Sequence, residues 1–525
     1  MQNPEPTRYK QLEVIIYSIA MALIFLLIKG YEFNSGDQAE HLPLVYKKLQ
    51  PELYPHDYFV EATQNQYTVR FFYVETVSFF SKILGVDAAV FLLTVLCISL
   101  SAWAFWIIGY TLSGNCVAGY LSPPLVLLVF YNYFSLGTNF IQENLLVSGS
   151  FGLAFTAMSI AWFVMQKFRG AFFWLGIAGL FHVMFAFNMF LILFSAYVLL
   201  YRKLRPASEM LILSGLFLAL SSAMLIPMVM KQLNDSNSYD HGLYYKIQYI
   251  FRNYHHFMPS LFKTTHYIKF IAISICGMIM IEMLPIHQKS FLRYFYFIVW
   301  FGFFAYWIGL EHLHIMTVGK TQWPKGTTLW ISMFSAVLFA IVIAEILNGK
   351  FFYRISRGTI LISSLLVIAL ACFILTYSAE IPLKSIQGKY KIGNYQLDDL
   401  GKMHRWIEKN TATDALFLVP ATNDRFQCEA KRSMVSGYRA IIHEPWFMMP
   451  WFENFCTIYH VTLEDGLHQN VYDVLDERYH TYNLKENPNA DYPIDYRLVN
   501  TSACKYLKDL GEPVHAEGEW GLYRY

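Results

Sequence analysis

The chain is short of charge. Of its 525 residues only 15% are Asp, Glu, Lys or Arg, against about 25% in an ordinary soluble protein. Net charge is +2, too close to zero for bulk binding of nucleic acid. The seven cysteines include no C-x-x-C pair. Cys97, Cys276 and Cys372 lie in apolar runs, and Cys116 lies at the edge of one. Cys428, Cys456 and Cys504 lie in a polar tail that could hold one disulfide if exported. HExxH, the P-loop pattern, G-x-S-x-G and the dinucleotide glycine fingerprint are all missing, which removes support for nucleotide-driven transport and for those hydrolase chemistries. There is no internal repeat and no low-complexity tract.

What is present is apolar length. Hydrophobic residues make up 55% and aromatics 18%, a balance suited to lipid-facing helices with interfacial belts. Runs of spanning length predict helices near 12–29, 88–112, 117–133, 145–166, 171–200, 208–230, 267–284, 293–310, 328–347 and 358–377. Arg8 and Lys10 precede the first run, which reads as an uncleaved signal anchor. The run at 171–200 is roughly 45 Å long as one helix, and His182 and Asn188 interrupt it. Charge favours two short helices there. With about eleven spans, Arg8 and Lys10, Lys167 and Arg169, Arg202, Lys203 and Arg205, Lys289 and Arg293, and Lys350, Arg354 and Arg357 all fall on the cytoplasmic side, as the positive-inside rule requires.

The expected fold is therefore a polytopic α-helical membrane protein with a carboxyl-terminal extracytoplasmic α/β domain. Residues 1–379 form the membrane domain, with a long first outer loop at 30–87, and 380–525 form the outer domain. Within that loop, 67–84 is apolar but carries Arg70, Glu75 and Lys82. A charge at mid-membrane costs about 2.5–3.5 kcal/mol, so this stretch reads as an amphipathic surface helix. In the tail, helices are expected at 396–409, 446–460 and 468–478, a buried strand at 415–419, and a hairpin across Glu517-Gly518-Glu519.

The first outer loop concentrates acids and histidines beside a buried helix end: Asp37, Glu40, His41, His56 and Asp57. Asp37-Gln-Ala-Glu40 matches a capping box for a helix at about 38–49. A carboxylate fixed at a helix start could equally serve as a general base or a divalent-metal ligand. His41 lies one turn on and can share its face. Asp57 follows a proline turn and could cap residues 58–62 or bind a ligand. Glu143 precedes a span on the outer side, where it could partner Asp37 or complement a helix dipole. His182 could line a cavity or bridge helices. Arg252, with Lys263 and Lys269, could hold a phosphate, beside His255 and His256. His312 and His314 have metal-ligand spacing without a third ligand, and precede Lys320 and Lys325.

These features resemble the bacterial polytopic GT-C-type glycosyltransferase superfamily: Gly36-Asp37-Gln38 after the first span, Asp57 in the same loop, an amphipathic helix following, and an outer carboxyl-terminal domain. The tail, with Trp406-Ile-Glu-Lys-Asn410-Thr411 and Lys431-Arg432-Ser433, is similar to tails of uncharacterised multi-span proteins near that superfamily. The resemblance implies a transferase in the cell's plasma membrane that takes a sugar from a polyprenyl-phosphate donor. It implies Asp37 as the acidic catalytic residue of the first outer loop, where it would deprotonate an acceptor hydroxyl, and Glu143 as a second such acid. His41, Asp57, His182, Arg252, His255, His256, His312, His314 and Lys320 are expected to bind substrate. Mg or Mn is the metal such a site could use, although Asp37 lacks a neighbouring acid in an Asp-x-Asp pattern. The alternatives are a non-enzymatic transporter or flippase for a lipid or glycan intermediate, and a glycan polymerase.

Overall fold

In the computed structural model, the described residues are 8–348 and 398–525, apart from 65–66, 131–134, 139–140, 205, 236–238, 468–470 and 487–492. The helix expected at 358–377 and the domain boundary near 380 lie outside them.

The apolar runs become helices where their length allows. In chain order these are α1 (Arg8–Lys29), α2 (Leu42–Leu49), α3 (Tyr58–Gln64), α4 (Phe71–Leu84), α5 (Val86–Ser113), α6 (Cys116–Pro124), α7 (Ser148–Val164), α8 (Phe168–Phe181), α9 (Val183–Ala196), α10 (Ala207–Asp235), α11 (His241–Tyr245), α12 (Tyr254–Phe257), α13 (Thr264–Met283), α14 (Lys289–Trp307), α15 (Met316–Lys320) and α16 (Trp323–Leu347). Seven helices among the described residues are long and apolar enough to cross a membrane. Three shorter apolar helices, Cys116–Val129, Ser148–Val164 and Phe168–Phe181, accompany them. The protein is thus a polytopic helical membrane protein with a small carboxyl-terminal sheet domain.

The long run at 171–200 does break. His182 ends α8 and starts α9, where its Nδ1 accepts the backbone N–H of Phe185 at 3.3 Å. A histidine that caps a helix in an apolar run satisfies a donor that lipid could not. Within the stretch 67–84, residues Phe71–Leu84 are helical, as α4. Tyr73, Val77, Ser78 and Ser81 face inward, and Phe79, Phe80, Ile83 and Leu84 are exposed. That is an apolar outer face of the kind an interfacial helix gives to lipid.

The tail folds on a five-stranded sheet of order β2-β1-β3-β5-β4, with β1 (Leu416–Leu418), β2 (Ser433–Met434), β3 (Tyr496–Asn500), β4 (His515–Glu517) and β5 (Trp520–Arg524). β1 runs parallel to β2 and β3, and β5 is antiparallel to β3 and β4. The helix Asp399–Asn410 puts Met403 and Ile407 into a core with Phe417, Phe426, Leu498 and Leu522. Cys428, Cys456 and Cys504 are free thiols, so the tail disulfide allowed by the sequence does not form.

The first loop fastens this domain to the helices. Tyr54 donates to Gln427 O at 2.7 Å, and Arg70 Nη2 donates to Ile441 O at 2.8 Å. Arg252 Nε donates to Tyr438 O at 3.0 Å. The irregular segment 435–444 is thereby laid across the mouth of the helical bundle.

Candidate active site

A cavity of about 770 Å³ opens where the first loop, the bundle and segment 435–444 meet. Eight of the residues singled out in the sequence line it: Asp37, His41, Glu143, His182, Arg252, His255, His256 and Lys320. They arrive from five separate stretches of chain, which is why only the fold unites them.

Asp37 lies in a 3-10 turn, Gly36–Glu40. Gly36 has φ +54, a left-handed backbone that glycine adopts without strain. Buried Gln38 locks the turn, accepting from Asn34 N at 2.6 Å and donating to Leu146 O at 3.2 Å. The capping box does not form: Ser35 is the N-cap, and no side chain caps the turn. The Asp37 carboxylate reaches instead to Arg439 Nη1 at 3.1 Å, and its side chain is 55% exposed into the cavity. Glu40 lines the same cavity, pairing with buried Arg70 and lying 3.9 Å from Arg252.

The electrostatics separate the two candidate acids. Burial pushes the Asp37 carboxyl up, but the Lys325, Arg439 and Arg252 charges together hold it below the ordinary value. Glu143 goes the opposite way. Burial and the nearby Asp37 charge raise it to about 7, against a smaller lowering by Lys325. Since Glu143 would ionise near 4.5 when unfolded, its share of stability is complete below that pH and is lost as pH rises through 7. Two acids in one cavity with separated ionisation suit two different roles.

The histidines are held neutral. His41 Nδ1 lies 2.7 Å from Asp37 O, so it carries the hydrogen, and Nε2 accepts from Ser148 Oγ at 3.2 Å. Burial first, then the Arg70 charge, lowers His41 to about 4. Burial and Arg252 lower His255 to about 3. His256 binds Gly137 O at 2.7 Å through Nδ1.

Cations line the same cavity. Arg252 is committed to Tyr438 O, Asn253 Oδ1 and Glu40. Lys320 and Lys325 line the cavity and make no ion pair within 4 Å among the described residues. Lys325 sits in the first turn of α16, against Gly137. A Cβ at residue 137 would lie 2.8 Å from the Lys325 backbone N and Cα. Gly137→Ala is accordingly expected to push α16 away and cost about 1–3 kcal/mol by overpacking, read as a lower melting temperature in detergent.

Three expected ligand-binding residues are not brought to the cavity. Asp57 is 1% exposed and structural. Its Oδ1 accepts from Val60 N at 3.1 Å, and its Oδ2 accepts from Gln427 Nε2 at 2.6 Å and Met434 N at 3.1 Å. It caps α3 and pins the tail. His312 and His314 are exposed: His312 ends the turn Ile308–His312 beside Trp307, and His314 meets Tyr245 edge-on. The residues also fail to fit a divalent cation. No group of three or more His, Cys, Asp or Glu gathers among the described residues, and Asp37 is ringed by fixed cations that would repel one.

Arg439, Lys325, Arg70 and His443 were not among the expected site residues. Arg439 is one arginine in an irregular stretch of the tail, 402 residues from Asp37, and no local pattern marks it. Lys325 had a weak signal, an unpaired cation just before a span.

Residues 398–458 match a family model described as a domain of unknown function, DUF6798; Arg439 and Asp424 fall inside the match. No curated protein matches the chain. Among solved structures, the Archaeoglobus fulgidus oligosaccharyltransferase tethered with an acceptor peptide is similar, at 12% identity and a TM-score of 0.46, over 94% of this chain and 70% of that one.

Proposed function

We propose that this protein is a membrane glycosyltransferase that moves a sugar from a polyprenyl-phosphate donor to a hydroxyl acceptor at the extracytoplasmic face of the plasma membrane. The observation that carries the reading is that two carboxylates, Asp37 and Glu143, and two lysines, Lys320 and Lys325, line one cavity, with Lys325 close enough to lower both carboxyls. A donor sugar with its phosphate on the lysines would present its anomeric carbon to the carboxylates.

The chemistry then divides among the residues. The acceptor O–H gives its proton to the Glu143 carboxylate, whose ionisation near 7 suits a general base. A new bond forms from that oxygen to the anomeric carbon as the carbon–oxygen bond to phosphate breaks. The electron pair leaves with the polyprenyl phosphate, and Lys320 and Lys325 stabilise its charge. Asp37 stays ionised throughout and offsets positive charge building on the sugar. This differs from the sequence-based expectation, which gave the proton to Asp37. A carboxylate held low by surrounding cations is a poor base but a good fixed anion.

The test is the pH dependence of transfer from a radiolabelled polyprenyl-phosphate sugar in detergent. The wild-type rate is expected to rise as pH passes about 7, because the base must be deprotonated. Glu143→Gln is expected to be slower by about a hundredfold and to lose that limb. An unchanged limb in the variant would remove Glu143 from the reaction.

A further inference from the structure

Two polar residues interrupt the overlong apolar run at 171–200, His182 and Asn188. His182 starts α9 and lines the cavity. Asn188 lies inside α9, fully buried, and is not part of the cavity's lining. A leucine of similar bulk would pack there with no polar atom to satisfy. The amide, moreover, is only half satisfied. Its Nδ2 donates to Thr321 O at 2.8 Å, while its Oδ1 has no hydrogen-bond partner among the described residues. An unpaired buried acceptor is costly, so the one bond that Asn188 does make calls for a reason.

That bond falls at a particular place. Thr321 and Gln322 are the two residues between α15 and α16. Gln322 has φ +48, a left-handed conformation that interrupts the helical path. A carbonyl at such a break lacks its regular helical partner, and Asn188 supplies a donor from a neighbouring helix. Thr321 directly follows Lys320 and lies about one helical turn before Lys325.

The fit around this turn is close. A Cβ at Gly326 would lie 2.8 Å from Asn188 Nδ2, so the amide rests against the first turn of α16. Leu136 N donates to Thr328 Oγ1 at 3.0 Å, beside the contact of Gly137 with the Lys325 backbone. Trp323 Nε1 donates to Val299 O of α14 at 3.1 Å. Of these three hydrogen bonds, the one from Asn188 is made to the backbone between the two lysines.

We propose that Asn188 is a positioning residue: from inside a membrane span it holds the Thr321 carbonyl, and so sets Lys320 and Lys325 where they meet a phosphate. The phosphate rests on the transferase reading above; the hold on the turn does not. Losing the bond keeps both lysine charges in the cavity but frees the backbone that aims them. Affinity for a phosphate should then fall, while the apolar part of a ligand binds as before.

Equilibrium binding of tritiated farnesyl phosphate and tritiated farnesol to the full chain in detergent tests this. Wild type is expected to bind the phosphate more tightly than the alcohol, and Lys325→Gln is expected to remove most of that preference. Asn188→Leu is expected to weaken farnesyl phosphate about tenfold and to leave farnesol unchanged. A merely structural role would weaken both or neither. Gly326→Ala serves if the leucine variant fails to fold. Alanine favours a helix over glycine, and its methyl would displace the Asn188 amide from Thr321 O, so the same selective loss is expected. Wild-type phosphate affinity in whichever variant folds, or an equal loss for phosphate and alcohol, would overturn the proposal and leave the lysine site standing. A phosphate preference absent from wild type, or unmoved by Lys325→Gln, would overturn both. Selective binding without any sugar transfer would sink the transferase reading alone.

Discussion

Asp37→Asn is expected to lower sugar transfer by about a thousandfold while leaving the fold intact. Asparagine keeps the size of the side chain and removes its charge. The carboxylate caps no helix, and its one ion-pair partner within 4 Å among the described residues is Arg439. With the side chain 55% exposed, the stability change should stay within about 0.5 kcal/mol. The loss should fall on kcat, because the phosphate contacts on Lys320 and Lys325 are untouched and the donor KM should move little. Wild-type turnover in this variant would remove Asp37 from the reaction. A melting temperature that fell with the activity would give Asp37 a structural role instead.

Arg70→Ala is expected to destabilise the protein by about 3–5 kcal/mol. Arg70 is 3% exposed, lies between the first loop and the tail, and pairs with Glu40 while donating to Ile441 O at 2.8 Å. Removing it leaves a buried carboxylate without its principal partner and a backbone carbonyl without its donor. Burial already raises the Glu40 carboxyl despite Arg70 beside it, so the variant should take up a proton there. Its deficit should then shrink as the medium is acidified, since protonation neutralises the stranded group. Thermal unfolding in detergent at two pH values reads both effects. The double variant Arg70→Ala, Glu40→Ala should be more stable than Arg70→Ala alone, because deleting both partners strands neither.

The apolar architecture was legible because lipid imposes it: runs long enough to span are helical, and the break at His182 showed as a polar residue in an overlong run. Asp37 and Glu143 were legible for the same reason, as acids are rare beside spans. The rest of the site depends on contacts that no window of sequence contains. Arg439 reaches Asp37 across 402 residues, and Asp57 finds Gln427 across 370. The second of these turned an expected ligand-binding acid into a structural one. Strand β3 was missed because Arg497 interrupts Tyr-Arg-Leu-Val-Asn. In the fold that arginine is 1% exposed, stacked on Tyr506 at 4.3 Å and donating to Asn483 at 2.9 Å. A charged residue stacked and hydrogen-bonded through both terminal nitrogens can occupy a central strand, yet in sequence it reads as a surface position. His312 and His314 misled in the opposite sense: their spacing suits a metal, but neither lines the cavity.

The most direct measurement is a cryo-electron microscopy structure with a non-cleavable polyprenyl-phosphonate sugar. The account predicts phosphonate density against Lys320 and Lys325, with the anomeric carbon of the sugar facing Asp37 and Glu143. Density for the head group elsewhere on the bundle, with this cavity holding only solvent, would contradict it.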